Sequence, residues 1–330
     1  MIRLVVDEVV GLPDIFGDYR EKYIRMGNLP YWLDINKIDY EIVSLKSSKE
    51  FIYIINCPCL SAEYENYDFS TLSDIDCKII INDAMEGSSW LPREVENFTL
   101  YLKIHNINPE RVTVITQNYN YADAKFPFNI VIWNLMESFA RVNAIEWIDY
   151  NDDAKKFLCL NRWPHQHRID FMSQMYKLDI LDQFNYSMPD EPYDNVDMKP
   201  GLYWEFPYHK KESLLYIVTE TFFDRGDYIR DVSEKTWRPI ALQMPFILIH
   251  QPFALRRLRE LGYRTFPWDE SYDTIIDPKE RMTAIIDLVV TLNSRNDFVE
   301  LIESCRDIVE HNFDLLKIRR PEMDMIRALS

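Results

Sequence analysis

The sequence predicts an α/β protein built from two Rossmann-like domains with parallel sheets. Its 330 residues exceed the roughly 250–300 at which a single core tends to split into domains. In the first half, β-branched and aromatic runs at residues 2–6, 51–55, 78–81 and 111–115 alternate with segments long enough to form helices. This alternation favours a parallel sheet with right-handed crossovers, and a similar pattern begins again at residue 156.

Local patterns place the remaining elements of the first half. Residues 91–105 carry apolar side chains at every third or fourth position, which is typical of one helical face. The polar and aromatic stretch 118–128 is predicted to be a loop, and residues 151–153 (Asn-Asp-Asp) a linker. The predicted organisation is therefore a first domain at 1–150, a second, ligand-binding domain at 151–312, and a tail at 313–330 that is expected to pack back on the first domain.

In the second half, a strand at residues 156–160 leads into a polar turn and then a helix at 165–177. The stretch 186–209 is rich in proline and acidic residues, which indicates a long surface loop. Ser233 is a suitable N-cap, and Pro239 predicts a kink or a late start in the helix that follows. The other predicted elements are strands at 214–219 and 264–266, an apolar run at 245–250, and helices at 234–243, 252–261, 278–293 and 297–312.

The composition excludes several classes of protein. The net charge of −17 disfavours nonspecific coating of a polyanion, although a local basic groove remains compatible with it. Only 7 glycines are present, which argues against a glycine-rich phosphate cradle. The 5 cysteines follow no disulfide or zinc spacing. Neither a signal peptide nor a membrane span is predicted, so we expect reduced thiols and a cytoplasmic location.

The first candidate site is the segment Asn-Arg-Trp-Pro-His-Gln-His-Arg at 161–168, between a strand and a helix. Doubly wound folds place ligands at this edge, and the N–H groups of a helix start attract anions. Arg162 and Arg168 add donors suited to phosphate, and His165 stands at the helix start. The alternative is that these side chains cap and solvate the turn. A metal shared by the two histidines is not expected, because alternate residues on a helix point apart.

The second candidate site combines Glu220, at the end of a predicted strand, with the helix start that follows. A carboxylate at such an end suits ribose hydroxyls, and Glu234 suits a sugar hydroxyl. Lys235 and Arg238 are three residues apart and share a helical face, so together with the capping hydroxyl of Ser233 they suit a diphosphate. The alternative is a surface helix stabilised by an ordinary Glu234–Arg238 pair.

Acidic residues form two further candidate sites. Asp269, Glu270 and Tyr272 suit contacts with sugar or acceptor hydroxyls, or else belong to a solvated loop. In the first half, Asp83 and Glu86 follow a predicted strand. They are candidates for a general base, with helix capping as the structural alternative for Asp83.

The order of these segments resembles a known family. The chain carries Asn-Arg-x-Pro-His-x-x-Arg, Thr-Glu-Thr, Ser-Glu-Lys-Thr-Trp-Arg-Pro-Ile-Ala, Met-Pro-Phe-Ile-Leu and Leu-Arg-x-Leu-Gly-Tyr-x-Thr-Phe, together spanning residues 156–275. These motifs resemble the C-terminal, nucleotide-sugar-binding half of GT-B glycosyltransferases, in particular exostosin-like and fucosyltransferase-like enzymes. They also resemble uncharacterised glycosyltransferase-like proteins of bacteria and phages. The first half resembles the family in its alternation of strands and helices and in the segment Asn-Asp-Ala-x-Glu-Gly.

The resemblance implies two Rossmann-like domains facing a cleft, with the donor diphosphate held in the second and the first domain as the acceptor side. Arg162 and Lys235 would neutralise the leaving diphosphate in place of a metal, so no metal and no cofactor beyond the nucleotide-sugar co-substrate is expected. The scarcity of glycine departs from the glycine-rich loops of many such enzymes. The other implied residues are Arg168 or Arg238 assisting with the diphosphate, Glu220 and Glu234 binding ribose or sugar, and Asp83 or Glu86 as the base.

Three hypotheses about function follow. The first is a nucleotide-sugar-dependent glycosyltransferase, whose acceptor is a glycan or small molecule, or a hydroxymethylated base in phage DNA. The strongly negative net charge ranks the glycan or small molecule first. The second is a non-catalytic nucleotide-binding protein with a degenerate GT-B fold. The third is an interaction protein in which these charges form surface pairs.

Overall fold

The computed structural model of the protein describes residues 2–6, 29–43, 51–56, 69–83, 92–118, 121, 124–145, 149–161, 163–188, 212–224 and 232–329. The chain divides into two compact units, Met1–Phe139 with Arg320–Ser330 and Ala140–Arg319. The strands are β1 Ile2–Val6, β2 Tyr40–Ile42, β3 Ile52–Asn56, β4 Lys78–Asp83, β5 Val112–Thr116, β6 Asn129–Ile132, β7 Lys155–Leu160, β8 Phe184–Ser187, β9 Ser213–Thr219 and β10 Phe246–Ile249.

Ten α-helices lie within the described residues. They are α1 Leu29–Ile35, α2 Pro92–Ile104, α3 Leu135–Val142, α4 Gln166–Lys177, α5 Glu234–Ala241, α6 Ala254–Glu260, α7 Pro278–Asn293, α8 Phe298–Ser304, α9 Arg306–Ile318 and α10 Glu322–Ala328.

The first unit contains a six-stranded sheet in the order β2-β1-β3-β4-β5-β6, and every strand pair is parallel. Its central strands are continuous apolar runs, as expected where helices cover both faces of a parallel sheet. In β4, for example, Ile79, Ile80 and Ile81 are fully buried, and Phe98 and Leu102 of α2 belong to the same core. The C-terminal helix α10 also belongs to this unit.

The second unit contains a four-stranded parallel sheet in the order β10-β9-β7-β8. All seven residues of β9 are buried, so this strand forms the centre of the unit together with β7. The predicted α/β class with parallel sheets is therefore confirmed. In both sheets, the second strand along the chain lies on one side of the first strand, and the third strand lies on its other side. The strand order therefore reverses between β1 and β3 in one sheet and between β7 and β9 in the other. Such a reversal opens a crevice at the carboxyl ends of those two strands, where doubly wound folds bind ligands.

Two predicted elements are wrong. Residues 264–266 form no strand, because the side-chain amide of Asn312 occupies the place of a neighbouring strand: it accepts from Arg264 N at 2.7 Å and donates to Arg264 O at 2.8 Å. The single helix predicted at 297–312 is divided into α8 and α9 at Cys305, whose N–H donates to Ile302 O three residues back. That tighter turn ends the first helix, and the second then extends to Ile318.

Several elements were not predicted. Helices α1 and α3 and the short strands β2, β6 and β8 have too few residues to show a periodic pattern. Most of the predicted loop 186–209 lies outside the described residues, and its first two residues belong to β8. In the stretch 118–128, the described residues contain no strand or α-helix, as expected for a loop.

Candidate functional site

The candidate site lies in the second unit, where β7 and β9 end side by side at the crevice of the sheet. Asn161 follows β7 and is fully buried. Its Oδ1 accepts a hydrogen bond of 2.5 Å from Oγ1 of Thr219, the last residue of β9. Asn161 N donates to Ser187 O at 3.0 Å. These bonds tie together the ends of three neighbouring strands and fix the start of the two loops that follow β7 and β9.

Helix α4 begins at this edge without a side-chain cap. His165 occupies the N-cap position in an extended conformation and makes no capping hydrogen bond. The first N–H groups of an α-helix have no partner within the helix, and an uncapped start is therefore a place where an anion binds. Anion binding at the start of α4 stays a prediction.

Arg168, predicted to bind phosphate, is buried beneath this helix start. Its Nη1 donates to Trp163 O at 3.0 Å, and its Nη2 donates to Thr219 O at 3.0 Å. The guanidinium therefore connects the turn after β7 to the end of β9. Its positive charge remains close to the helix start although its hydrogen bonds are made to backbone carbonyls.

Helix α5 is capped from across the crevice by Glu220. The buried carboxylate accepts four hydrogen bonds: from N and Oγ of Ser233 at 3.0 and 2.5 Å, and from N and Oγ1 of Thr236 at 3.2 and 2.5 Å. A carboxylate in this position also complements the helix dipole. Both oxygens of Glu220 are thus used to hold the helix start in place.

Lys235 supplies the positive charge at the start of α5. Its Nζ donates to Glu234 Oε1 at 2.7 Å, Thr221 Oγ1 at 3.1 Å and Ser233 Oγ at 3.2 Å. Its side chain is only 18% exposed and that of Glu234 14%. A lysine held in this way, with part of its surface accessible, is pre-organised for an anion because little side-chain freedom is lost on binding.

The two helix starts influence each other electrostatically. The pKa of His165 is lowered by burial first, and then by the positive charges of Arg168 and Lys235. Because these charges act on the same imidazole, the uncapped start of α4 lies in the field of the α5 lysine. The site therefore combines a helix start that has no side-chain cap with two cations, which is an arrangement suited to an anion carrying more than one charge.

A cavity of about 590 Å³ opens beside this cluster, a volume within the usual range of small-molecule sites. It is bordered by the first turns of α4, by the loop 221–224 after β9, and by the first turns of α7. Thr221 and His165 line it, and Thr221 also accepts from Lys235. The cavity and the cationic cluster therefore adjoin each other.

Three aromatic rings form a parallel column along this cavity. His165 and His167 stack with ring centroids 5.9 Å apart, and His167 stacks on Phe223 at 5.3 Å. The guanidinium of Arg281 lies 4.4 Å from the centroid of Phe223. Burial lowers the pKa of His167 to about 4, so this imidazole is neutral at pH 7. Its Nε2 lies 2.9 Å from Glu220 O.

The other predicted site residues of the second unit have internal partners. Arg238 is buried, and its Nη1 donates to Tyr216 OH at 3.1 Å, so it does not share an exposed face with Lys235. Tyr272 is also buried. Glu270 accepts from Arg259 Nη1 at 2.9 Å and from the backbone of Phe266. Asp269 is exposed and accepts from Ser271 N at 2.9 Å. The roles of Asp269, Glu270 and Tyr272 in binding sugar stay predictions.

The predicted catalytic residues belong to the first unit. Asp83 is the last residue of β4, paired in register with Thr116 of β5, and its side chain is fully buried. Glu86 lies outside the described residues, as does Arg162 in the second unit.

No group of three His, Cys, Asp or Glu side chains that could hold a metal ion occurs in the described part of the chain. Within the same residues, no helix is long and apolar enough to cross a bilayer.

No family model matches the chain, and no curated protein matches it in sequence. The fold is similar to that of T4 phage BGT in complex with UDP-glucose (TM-score 0.47, 8% identity, 100% of both chains). It is also similar to α1,3-fucosyltransferase with GDP (TM-score 0.46, 9% identity, 91% of this chain and 81% of the other). A third similar structure is the glycotransferase of kitacinnamycin (TM-score 0.38, 10% identity, 96% and 84%). At these identities the similarity concerns the fold alone.

The sequence did not indicate several residues of the site. Thr221 was noted only as part of a motif, and His167 was considered only as a metal ligand. Asp170 lies one turn after Gln166 on α4. This spacing is visible in the sequence, but the same spacing of polar residues is common on exposed helices and does not indicate a site. The contact between Arg281 and Phe223, which are more than 50 residues apart, could be found only from the tertiary structure.

Proposed function

We propose that the protein is a nucleotide-sugar-dependent glycosyltransferase whose second unit binds the donor diphosphate. The observation that carries this proposal is geometric: the uncapped start of α4 and Thr221, to which Lys235 Nζ donates, line the same cavity at the crevice of a doubly wound sheet. A diphosphate accepts from the N–H groups of the helix start and, in exchange for one of the three internal acceptors of Lys235 Nζ, from that ammonium. The adjoining cavity leaves space for the rest of a nucleotide.

The residues around the diphosphate have two kinds of role. Lys235, with Arg162 as the resemblance implies, neutralises charge on the phosphates, and Glu234 orients the lysine. Glu220 and Arg168 are positioning residues, because their polar atoms hold the two helix starts. This assignment replaces the direct contact with ribose that was expected of Glu220.

The proposed reaction is displacement at the anomeric carbon. The acceptor hydroxyl oxygen forms a bond to this carbon while the bond to the phosphate oxygen breaks, and the diphosphate leaves with the electron pair. The cations stabilise the charge that grows on the diphosphate, so we propose that the reaction needs no metal. The hydroxyl proton passes to a base in the first unit, for which Asp83 or Glu86 is proposed. Since Asp83 is fully buried, a base at that position has to be uncovered when the acceptor binds.

The acceptor is proposed to be a glycan or small molecule. The net charge of −17 opposes approach of a DNA duplex through long-range repulsion, so a hydroxymethylated base in phage DNA is the second candidate. Transfer assays with neutral glycans and with modified DNA distinguish these acceptors directly.

Replacing Lys235 by alanine is expected to weaken nucleoside diphosphate binding roughly 10- to 100-fold, because a charge-assisted contact with phosphate is lost. The measurement is a thermal-shift screen with UDP, GDP, CDP and ADP, with and without EDTA, since binding to the folded state raises the melting temperature. Lys177→Ala, at the exposed end of α4, is the matched control. A wild-type protein that no diphosphate stabilises would contradict the proposal, and a shift abolished by EDTA would contradict metal independence.

Binding of a diphosphate is expected to be coupled to proton uptake at His165. Its pKa is lowered in the free protein, and a bound anion raises it towards or above the ordinary value of about 6.5. The site therefore binds a proton with the ligand between these two pKa values, and affinity increases by up to about tenfold per unit as the pH falls through that window. Calorimetry in two buffers of different ionisation enthalpy measures the uptake. His165→Asn should remove it, leaving only the proton that the phosphate itself binds.

The alternative is a protein that binds a nucleotide without turnover. Both functions predict the same effect of Lys235→Ala on affinity. Only an enzyme transfers sugar or slowly hydrolyses the nucleotide sugar, so release of nucleoside diphosphate from the intact donor separates the two.

A further inference from the structure

The cavity beside the cationic cluster has a polar wall on α4, whereas the wall on α7 is mixed and includes the polar side chains of Lys279 and Thr283. The loop after β9 adds Asp224. Gln166, Asp170 and Gln174 occur at intervals of four residues and face the cavity together. Met282 and Ile286 line it from α7. The cluster that would bind phosphate adjoins one end of the cavity, so the part of the ligand next to the phosphates enters it.

We infer that this cavity holds the nucleobase of the donor and that Asp170 selects guanine. The inference rests on the proposed function, because it presumes that the diphosphate lies at Lys235. It goes further by naming the base and the residue that reads it.

The shape and polarity of the cavity suit a flat heterocycle. The column of rings ends at His165, which is partly exposed and lines the cavity. Its imidazole offers a flat surface at the end of this column. Bases stack on such rings irrespective of their identity. The methylene and methyl groups of Met282 and Ile286 supply the apolar contacts of the opposite wall.

Asp170 provides selectivity among bases. A carboxylate only accepts hydrogen bonds, and the hydrogen-bonding edge of guanine is the one that offers two adjacent N–H donors, N1–H and N2–H. Uracil places two carbonyl oxygens around its single N–H, and adenine and cytosine offer one amino group beside an acceptor nitrogen. Two parallel bonds to a carboxylate resemble its bidentate pairing with arginine. Gln166 Nε2 donates to Asp170 Oδ1 at 2.8 Å and fixes the orientation of the carboxylate.

An exposed Gln–Asp pair is also an ordinary surface feature, and the chain contains a second one, between adjacent residues of the one-turn 3-10 segment Leu181–Gln183. Asp182 is exposed and accepts from Gln183 Nε2 at 2.8 Å, but it does not line the cavity. Asp182→Asn therefore removes the charge of an exposed carboxylate that accepts from a glutamine, at a place where no base is expected.

The experiment measures dissociation constants of GDP, UDP, CDP, ADP and xanthosine diphosphate by calorimetry on the full chain. Wild-type protein should bind GDP most tightly. Asp170→Asn should weaken GDP roughly tenfold or more, leave UDP nearly unchanged, and improve binding of xanthosine diphosphate, because the asparagine amide accepts from N1–H and donates to the carbonyl that replaces the amino group. Asp182→Asn should leave all five constants unchanged.

The results separate this inference from the proposed function. If diphosphates bind through Lys235 with the same affinity for every base, or if the preference survives Asp170→Asn, the inference is wrong and the diphosphate site stands. If none of the five nucleotides binds, both are wrong. The gain for xanthosine diphosphate is a result that mere destabilisation of α4 does not produce, so it tests direct contact with the base.

Discussion

Glu220→Ala is expected to lower the free energy of unfolding of the second unit by about 3 kcal/mol. The buried carboxylate accepts from two backbone and two hydroxyl donors of Ser233 and Thr236. Its removal leaves Ser233 N and both hydroxyls without this acceptor, while Thr236 N keeps a bond of 3.2 Å to Ser233 O. Each unsatisfied buried group costs about 1–3 kcal/mol, and loss of a helix cap costs about 1 kcal/mol. The two hydroxyls can rotate towards other acceptors, so the total loss of stability is expected to be smaller than the sum of these separate costs. Urea denaturation measures the effect as a lower midpoint with an unchanged slope.

Two variants test whether this loss reflects capping by Glu220. Glu303→Ala removes a carboxylate of the same unit whose pair with Arg306 is exposed, at 51% and 47%, and exposed pairs contribute about 1 kcal/mol or less. Glu220→Gln retains the shape and one acceptor, so its loss should be intermediate. If Glu220→Ala is as mild as Glu303→Ala, Glu220 does not hold the start of α5.

The elements that the sequence predicted well have strong local patterns. The strands at 2–6 and 214–219 and the helix at 278–293 were placed to within a residue, because long β-branched runs or a Pro following an Asp N-cap define them. The predicted strand at 264–266 failed because its backbone partner is a side chain 48 residues away. No local pattern carries such information.

For the candidate site, the sequence indicated which residues lie at the crevice but not what their polar atoms contact. Glu220, Ser233 and Lys235 do lie together beside the end of β9. Arg168 and Arg238, however, are buried, whereas arginines are mostly exposed. Whether an arginine meets a ligand or a backbone carbonyl depends on burial, which is a property of the tertiary structure.

Arg281 illustrates this limit most clearly. Replacing it is expected to lower the free energy of unfolding at least as much as Glu220→Ala does. In α7 its Nε donates to His250 O at 3.0 Å, its Nη1 to Ile275 O at 2.7 Å and Ile276 O at 3.0 Å, and its Nη2 to Phe223 O. The side chain is buried. One guanidinium therefore joins the loop after β9 to the end of β10 and to the segment before α7, and of these three the loop after β9 lines the cavity.

Arg281→Met is expected to lower the free energy of unfolding by roughly 3–5 kcal/mol, because four carbonyls lose a charged donor and methionine restores only the apolar contacts. Arg256→Met is the control, since that arginine is mostly exposed and pairs only with Glu260 one turn away, a contact that contributes about 0.3–0.5 kcal/mol. Urea midpoints of both variants measure the difference. If the two variants are equally stable, the buried guanidinium does not stabilise the three segments that it joins. If Arg281→Met unfolds more readily yet binds GDP as tightly as wild type at low temperature, the loop 221–224 does not need this anchor to form the ligand site.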